Sequence, residues 1–284
     1  MKNSAVLLIS CPDRKGIVAT ISDFVFNHNG NILHADEHAD EGSNLFLMRV
    51  EFDPTDLDID LAEFSKHFNP IAEKFEMQWR LALSNHRPKM IILVSKYDHC
   101  LVDLLYRHKS GELQCEIPLI ISNHPDNQPI ADFYGVPYVT IPVPKEGKRE
   151  AEEKILSLIQ KNNPDFMVLA RYMQILSNEF VNRYPQRIIN IHHSFLPAFV
   201  GAKPYHQAFT RGVKLIGATS HYVTEVLDDG PIIEQDVVRI SHRDSLDDLL
   251  QKGRDLEKVV LSRAVRWHID NRILLYGNKT VVFD

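Results

Sequence analysis

Two short stretches of the chain carry side chains able to move protons and to stabilise a developing negative charge. Asn190-Ile191-His192 ends an apolar run, and Asp228 stands in Leu227-Asp228-Asp229-Gly230-Pro231. Asn190 and His192 are two apart, so at the end of an extended strand they project to one face. An amide donor, an imidazole and a carboxylate from a separate loop meet the needs of acyl transfer or hydrolysis, which are oxyanion stabilisation and proton transfer. The same residues have a plainer reading, in which His192 caps the strand and Asp-Asp-Gly-Pro is turn chemistry. The chain has 14 histidines and 3 cysteines. They form no His-Glu-x-x-His motif and no cysteine cluster, so no metal is expected. His193, His206 and His221 are read as residues that shape the site.

These side chains need a scaffold, and the pattern around them supplies one. Short apolar runs at Met90 to Ser95, Ile117 to Ser122, Tyr138 to Ile141, Asp165 to Ala170 and Arg187 to Ile191 alternate with helical spacing. The helical stretches lie around Leu101 to Leu105 and over Glu150 to Lys161. Repeated βα units with fully apolar strands imply a mostly parallel, Rossmann-like α/β sheet with helices on both faces. In such sheets ligands bind beyond the carboxyl ends of the strands, where Asn190 and His192 fall. Val213 to Val223 and Pro231 to Ile240 read as a strand pair. A long helix is expected from Ser245, its N-cap, to about Leu275, with Asp247 and Asp248 in the first turn.

The polar, proline-containing stretch Ser84 to Lys89 separates this segment from an earlier one of different rhythm. There Val6 to Ile9 is a strand, and Ile17, Ile21, Phe24 and Val25 recur at helical spacing. Asn31 to Asp40 and Leu45 to Phe52 flank a hairpin turn, a helix carries Phe64, Phe68 and Phe75, and Met77 to Leu83 closes the segment. That order is βαββαβ, a ferredoxin-like split unit. The expected domains are therefore 1–84, a linker at 85–89, and 90–284.

Composition bounds the function. Hydrophobic residues at 44% and charged residues at 25% describe an ordinary globular chain with a sizeable core. A net charge of −6 disfavours a nucleic-acid or anionic-membrane partner. Three unpaired cysteines and an N-terminal apolar run of only Ala5 to Ile9 lead to a cytoplasmic expectation.

Asn190-Ile191-His192 with Ser194-x-Leu196-Pro197, followed by His221-Tyr-Val-Thr and Leu227-Asp228-x-Gly230-Pro231, resembles the folate-dependent formyltransferases. The resemblance implies that Asn190, His192 and Asp228 form the catalytic trio. It also places a pteridine against Leu169, Gln174, Ile175, Leu176, Phe180, Val181, Ile188 and Val223, partly through the backbone at 174 and 176. Glycinamide-ribonucleotide formyltransferases carry a Gly-rich phosphate loop after the first strand. Here Ser95-Lys96-Tyr97-Asp98-His99-Cys100 has no glycine, which disfavours a phosphorylated acceptor. With His192-His193-Ser194-Phe195 and the segment 198–208, the sequence is similar to the formyltetrahydrofolate deformylases. Water would then replace the amine as acceptor, releasing formate for purine biosynthesis and balancing one-carbon folate pools.

The βαββαβ segment with Pro12-Asp13-Arg14-Lys15-Gly16-Ile17-Val18 resembles an ACT domain. That implies a small amino-acid effector, with glycine or methionine as candidates, held near Asp13, Arg14, Gly16 and Ile17, and a homo-oligomer. The resemblance implies no bound cofactor; 10-formyltetrahydrofolate is the substrate. Two alternatives stay open at this point: a formyltransferase to an amine, and an amino-acid-sensing pseudoenzyme.

Overall fold

The computed structural model describes residues 4–144, 146–198 and 204–284, and its contacts divide into two compact units. The first begins with β1 (Ala5–Pro12), α1 (Ile17–Asn27), β2 (Asn31–Asp40), β3 (Leu45–Asp53), α2 (Phe64–Phe75) and β4 (Gln78–Leu83). Its four strands lie in the order β2-β3-β1-β4, with β1 antiparallel to both neighbours. This is the expected split βαββαβ arrangement.

Every residue of β1 from Ala5 to Ile9 is buried, which a sheet covered on one face would not produce. The two faces have different covers. Ala5, Leu7 and Ile9 pack with Ile17, Ile21, Phe24, Phe64 and Phe68 of the two helices. Val6, Leu8 and Leu47 pack with Leu274, Tyr276, Val281 and Phe283 from the end of the chain. The expected boundary of 90–284 for the second domain is corrected accordingly. The chain divides between Arg87 and Pro88, and Asp270–Tyr276 and Val281–Asp284 belong to the first unit. Arg49, buried beneath them, donates to the Asn271 carbonyl at 3.1 Å and pairs with Glu51 at 2.9 Å. The long helix accordingly ends at Ile269 rather than near Leu275, and Asn271 takes a left-handed φ of 52°.

The second unit holds β5 (Lys89–Val94), α3 (His99–Ser110), β6 (Glu116–Ser122), α4 (Gln128–Tyr134), β7 (Tyr138–Thr140), α5 (Lys148–Asn162), β8 (Phe166–Ala170), α6 (Asn178–Arg183), β9 (Ile188–His192), α7 (Pro204–Arg211), β10 (Leu215–Tyr222), β11 (Ile232–Arg239) and α8 (Leu246–Ile269). A terminal hairpin, β12 (Ile273–Tyr276) and β13 (Lys279–Val282), follows. The sheet order is β11-β10-β9-β8-β5-β6-β7. Its strands from β7 to β9 are parallel, while β10 runs antiparallel to both of its neighbours, β9 and β11. Met90 to Val94 are fully buried, as a central strand covered on both faces requires. Ser245 caps α8, its hydroxyl accepting from the Asp248 N–H at 3.2 Å.

Chain order reverses between β5 and β8, so the loops leaving those strands diverge and open a crevice at their carboxyl ends. The helices α4, α6 and α7 were not expected from the sequence. Each is eight residues or fewer, too short to carry a clear helical period.

Candidate active site

The crevice is a cavity of about 540 Å³ within the second unit. The loops after β5 and β8, the end of β9 and the β10–β11 loop all contribute to its wall. The pairing of β9 with β10 sets the catalytic face. His221 lies opposite Asn190, and Thr219 opposite His192, so strand alternation brings Asn190, His192 and His221 to one side. The turn after β9 is held by Thr219, whose Oγ1 accepts from the Leu196 N–H at 3.0 Å and donates to the Ser194 carbonyl at 2.8 Å. Of the quoted segment 198–208, residues 199–203 lie outside the described residues.

Asp228 arrives from the β10–β11 loop in a left-handed conformation, φ 57°. That loop approaches β10 closely at Gly230. A Cβ there would lie 1.7 Å from the Tyr222 carbonyl oxygen, so no other residue fits without moving the loop. Asn278 donates to the Asp229 carbonyl at 2.8 Å. The result is a tight cluster: Asp228 Oδ1 is 3.2 Å from His192 Nδ1 and 3.8 Å from His221 Nε2. His221 Nδ1 lies 2.9 Å from the Tyr222 carbonyl, which fixes the proton on Nδ1. The Asn190 amide, 3.2 Å from His221 Nε2, can then donate to that nitrogen.

Burial alone would raise the Asp228 pKa, but the His192 and His221 imidazoles beside it outweigh that, and the carboxyl is held well below its ordinary value. His192 is buried, and its Nε2 has no hydrogen-bond partner among the described residues. An unsatisfied buried imidazole nitrogen on a cavity wall is costly unless a ligand completes it. The neighbouring His193 is pushed down to about 3, first by burial and then by the Arg171 charge, so it is neutral at ordinary pH.

The other end of the cavity is apolar. Leu169, Gln174, Ile175, Leu176, Val181 and Val223, six of the eight residues named from the sequence, line the cavity. Phe180 and Ile188 do not; both are fully buried in the core beneath, where their apolar bulk packs against α5 instead of facing a ligand. Met173, Ile175, Val226 and Leu227 line the cavity yet are exposed. Large apolar side chains gathered around an open mouth suit a flat, largely apolar ligand. The β8–α6 loop is pinned in place by Ser95, whose hydroxyl accepts from the Met173 N–H at 2.9 Å and donates to Asn123 at 2.6 Å.

Several lining residues escaped the sequence reading. Arg171 lay in a stretch read for the pteridine, Glu257 sits mid-helix with no motif around it, and Tyr97, His99 and Tyr205 carried no assigned role. His193, His206 and His221, read from the sequence as shaping the site, all line the cavity. In the first unit, Gly16 precedes α1 with a φ of 92°, and Arg14 forms an ion pair with Glu76. The Asp13 N–H is bonded to the Asn44 carbonyl. Ile17 is buried in the core, so its side chain packs the helix and offers no surface to an effector.

An Asn-x-His pair at a strand end, clustered with an aspartate on the wall of a crevice in a mostly parallel sheet, defines a formyltransferase-type domain. The formyl transferase family matches residues 88–265 and the ACT domain family residues 5–69. A formyltetrahydrofolate deformylase of Synechocystis sp. is 55% identical over 280 residues, 99% of this chain and 98% of the relative. A crystal structure of a formyltetrahydrofolate deformylase from Pseudomonas syringae pv. tomato matches with a TM-score of 0.98 and 50% identity, covering 100% of this chain and 95% of its own. The chain thus belongs to the formyltetrahydrofolate deformylase family. A glycinamide ribonucleotide transformylase 1 from Symbiobacterium toebii is more distant, with a TM-score of 0.67 and 27% identity over 72% of this chain and 98% of its own.

Proposed function

We propose that the chain hydrolyses 10-formyltetrahydrofolate to formate and tetrahydrofolate, with Asn190, His192 and Asp228 as its catalytic residues. Family membership supports the reaction. The observation that carries the residue roles is the pairing at His192: one nitrogen faces an ionised carboxylate, while the other is buried on the cavity wall with no partner among the described residues. With His192 protonated, Nδ1–H donates to Asp228 and Nε2–H is free to donate to an oxyanion. Asn190 has a second amide N–H for the same oxygen.

Water adds to the formyl carbon, and the tetrahedral oxyanion is held by these two donors. The carbon–N10 bond then breaks as N10 gains a proton relayed through the Asp228–His192 pair. The products are formate, tetrahydrofolate and a proton. Asp228, kept ionised, orients the water and accepts its proton. The apolar mouth formed by Leu169, Ile175, Leu176 and Val223 takes the pteridine.

Purified full-length protein supplied with 10-formyltetrahydrofolate and no amine should release formate stoichiometrically. Turnover that appears only after an amine is added would move the activity to formyl transfer. Folate binding without any turnover would favour a sensor without catalysis.

For the first unit, the reading is a small amino-acid effector at the turn Asp13–Gly16 and association through ACT domains. The left-handed Gly16 turn with open space around its Cα and the exposed edge strand β2 support it. Formate release measured with added glycine or methionine, and the mass of the protein in solution by light scattering, test the two parts separately.

A further inference from the structure

The cavity has a polar corner that the proposed hydrolysis does not use. It is centred on Glu257, which rises from the middle of α8 and is 1% exposed. One carboxylate oxygen lies 2.7 Å from His99 Nε2 and the other accepts from the Tyr205 hydroxyl at 2.8 Å. The Arg171 guanidinium nitrogen Nε stands 3.4 Å from the first oxygen, and its Cζ lies 5.1 Å from the centre of the Tyr97 ring. All five side chains line the same cavity as His192 and Asp228.

This corner is built from distant parts of the chain, and two backbone features make it possible. Residue 253, one turn before Glu257, is glycine; a Cβ there would lie 2.2 Å from the Tyr205 ring. Only a bare helix surface lets that ring reach Glu257. Arg171 adopts a left-handed φ of 61°, a conformation that costs a non-glycine residue energy and persists where surroundings over-determine it. The corner joins the catalytic end through His193, whose ring is 5.9 Å from Tyr205 and 5.4 Å from His192.

A metal centre is one reading of this cluster, since ligand atoms of His99, Cys100 and Glu257 lie within 4.8 Å of one another. The donor chemistry does not favour it. Both Glu257 oxygens already have partners, a guanidinium stands beside them, and burial pushes the Cys100 thiol well above its ordinary pKa, so the sulfur keeps its proton. The groups serve each other. Burial would raise the Glu257 pKa, yet His99, Arg171 and Tyr205 together hold it below the ordinary carboxylate value.

Tyr97 and His99 come from Ser95–Cys100, the glycine-free stretch that follows β5 and lines the cavity. We propose that the Tyr97–Arg171–Glu257–His99–Tyr205 network is a specificity device that occupies the acceptor side of the cavity and leaves only water within reach of the formyl carbon. This rests on the hydrolysis reading above. Hydrolysis and transfer share every bond change except the nucleophile: a lone pair adds to the formyl carbon, the carbon–N10 bond breaks, and N10 leaves with a proton. Transfer from an amine would give an N-formyl amine and tetrahydrofolate, while hydrolysis gives formate and tetrahydrofolate. What decides between them is which nucleophile can sit about 3–3.5 Å from the carbon. An amine brings N–H donors that need an acceptor in a dry site. Glu257 is the buried carboxylate of this corner, and His99 and Tyr205 have already taken its oxygens.

The test supplies the full-length protein with 10-formyltetrahydrofolate and glycinamide or hydroxylamine as probe amines, and measures formate and N-formyl product in the same reaction. Their ratio is independent of how much enzyme is active, so a merely structural loss does not move it. Wild type should give formate with little N-formyl product. His99→Ala opens space and frees one Glu257 oxygen, and should raise the N-formyl share about tenfold; Tyr205→Phe, which keeps the ring and removes one bond, about threefold. Variants that bind folate like wild type but keep its product ratio would overturn the proposal. So would a wild type that formylates the amines freely. If His99→Ala does not fold, Tyr205→Phe decides in the same way. Failure of wild type to release formate without amine would sink the hydrolysis reading itself, a result distinct from an unchanged ratio in the variants.

Discussion

The interiors of the two units are built to different rules. In the first, the core between sheet and helices is apolar and aromatic: Phe24, Phe64 and Phe68 meet edge-on or stacked within 5.6 Å of one another, and Phe68 meets Trp79 at 4.9 Å. Its buried polar residues, Ser4 and Arg49, are both bonded. The second unit buries Arg171, His192, His221 and Glu257 around one cavity and leaves His192 Nε2 without a partner among the described residues. Burying such groups costs free energy that apolar packing elsewhere must offset. One interior is arranged for stability, and the other sacrifices some of it to hold reactive groups in a fixed geometry.

The largest expected effect tests the first half of that contrast. Phe68→Ala removes a fully buried ring from the aromatic cluster and should destabilise the first unit by about 3–5 kcal/mol. Chemical denaturation followed by far-UV circular dichroism reads the loss. Formate release per folded molecule, without effector, should stay near wild type; a collapse of turnover in folded protein would show that the aromatic core serves catalysis as well as stability.

The second half is tested by His192→Ala. Loss of one oxyanion donor should lower turnover about 10²–10³-fold, and the melting temperature should fall as well, because the buried Asp228 carboxylate loses its partner at 3.2 Å. Asp228→Asn should likewise cut turnover severely with the fold intact. Near-normal turnover in Asp228→Asn would remove the carboxylate from the mechanism.

The same contrast explains what the sequence could and could not disclose. Asn190, His192 and Asp228 were legible because short motifs around them place donors at a strand end and a carboxylate in a turn. The βαββαβ order of the first unit was legible because one-sided helices impose a clear period. The return of Asp270–Tyr276 to that unit was not, since covering the far face of β1 is a matter of tertiary packing, and helical spacing near Leu274 reads the same either way. Nor was the Glu257 corner, whose members come from four separate segments with no motif between them. Phe180 and Ile188 failed for a related reason: apolar residues at a pocket and beneath it look alike in one dimension.

A smaller perturbation sharpens the catalytic geometry. Gly230→Ala would place a methyl group 1.7 Å from the Tyr222 carbonyl oxygen, so the β10–β11 loop must move. Backbone strain of this kind costs about 1–3 kcal/mol. The loss should fall mainly on kcat, because Asp228 would leave His192, and less on folate binding, because the apolar mouth contributes from other segments as well. Equal losses in kcat and KM would place the role of this loop in binding instead.

The smallest effect concerns pH and stability. Asp228 has a folded pKa below its ordinary value of 3.8, so between those two values the unfolded chain holds a proton there that the folded protein lacks. Stability must then fall as pH drops through that range, because the state that binds more protons gains. Above the ordinary value the contribution is fully present. Asp228→Asn has no such group, so the stability difference between wild type and variant should be flat from about pH 5 to 7 and should drift against wild type below about pH 4. Urea titrations of both proteins across that range measure it. A difference that stays flat down to about pH 3 would mean that Asp228 gains nothing from His192 and His221 in the folded state. The cluster would then be a coincidence of packing, with its carboxylate no better placed than one on the surface.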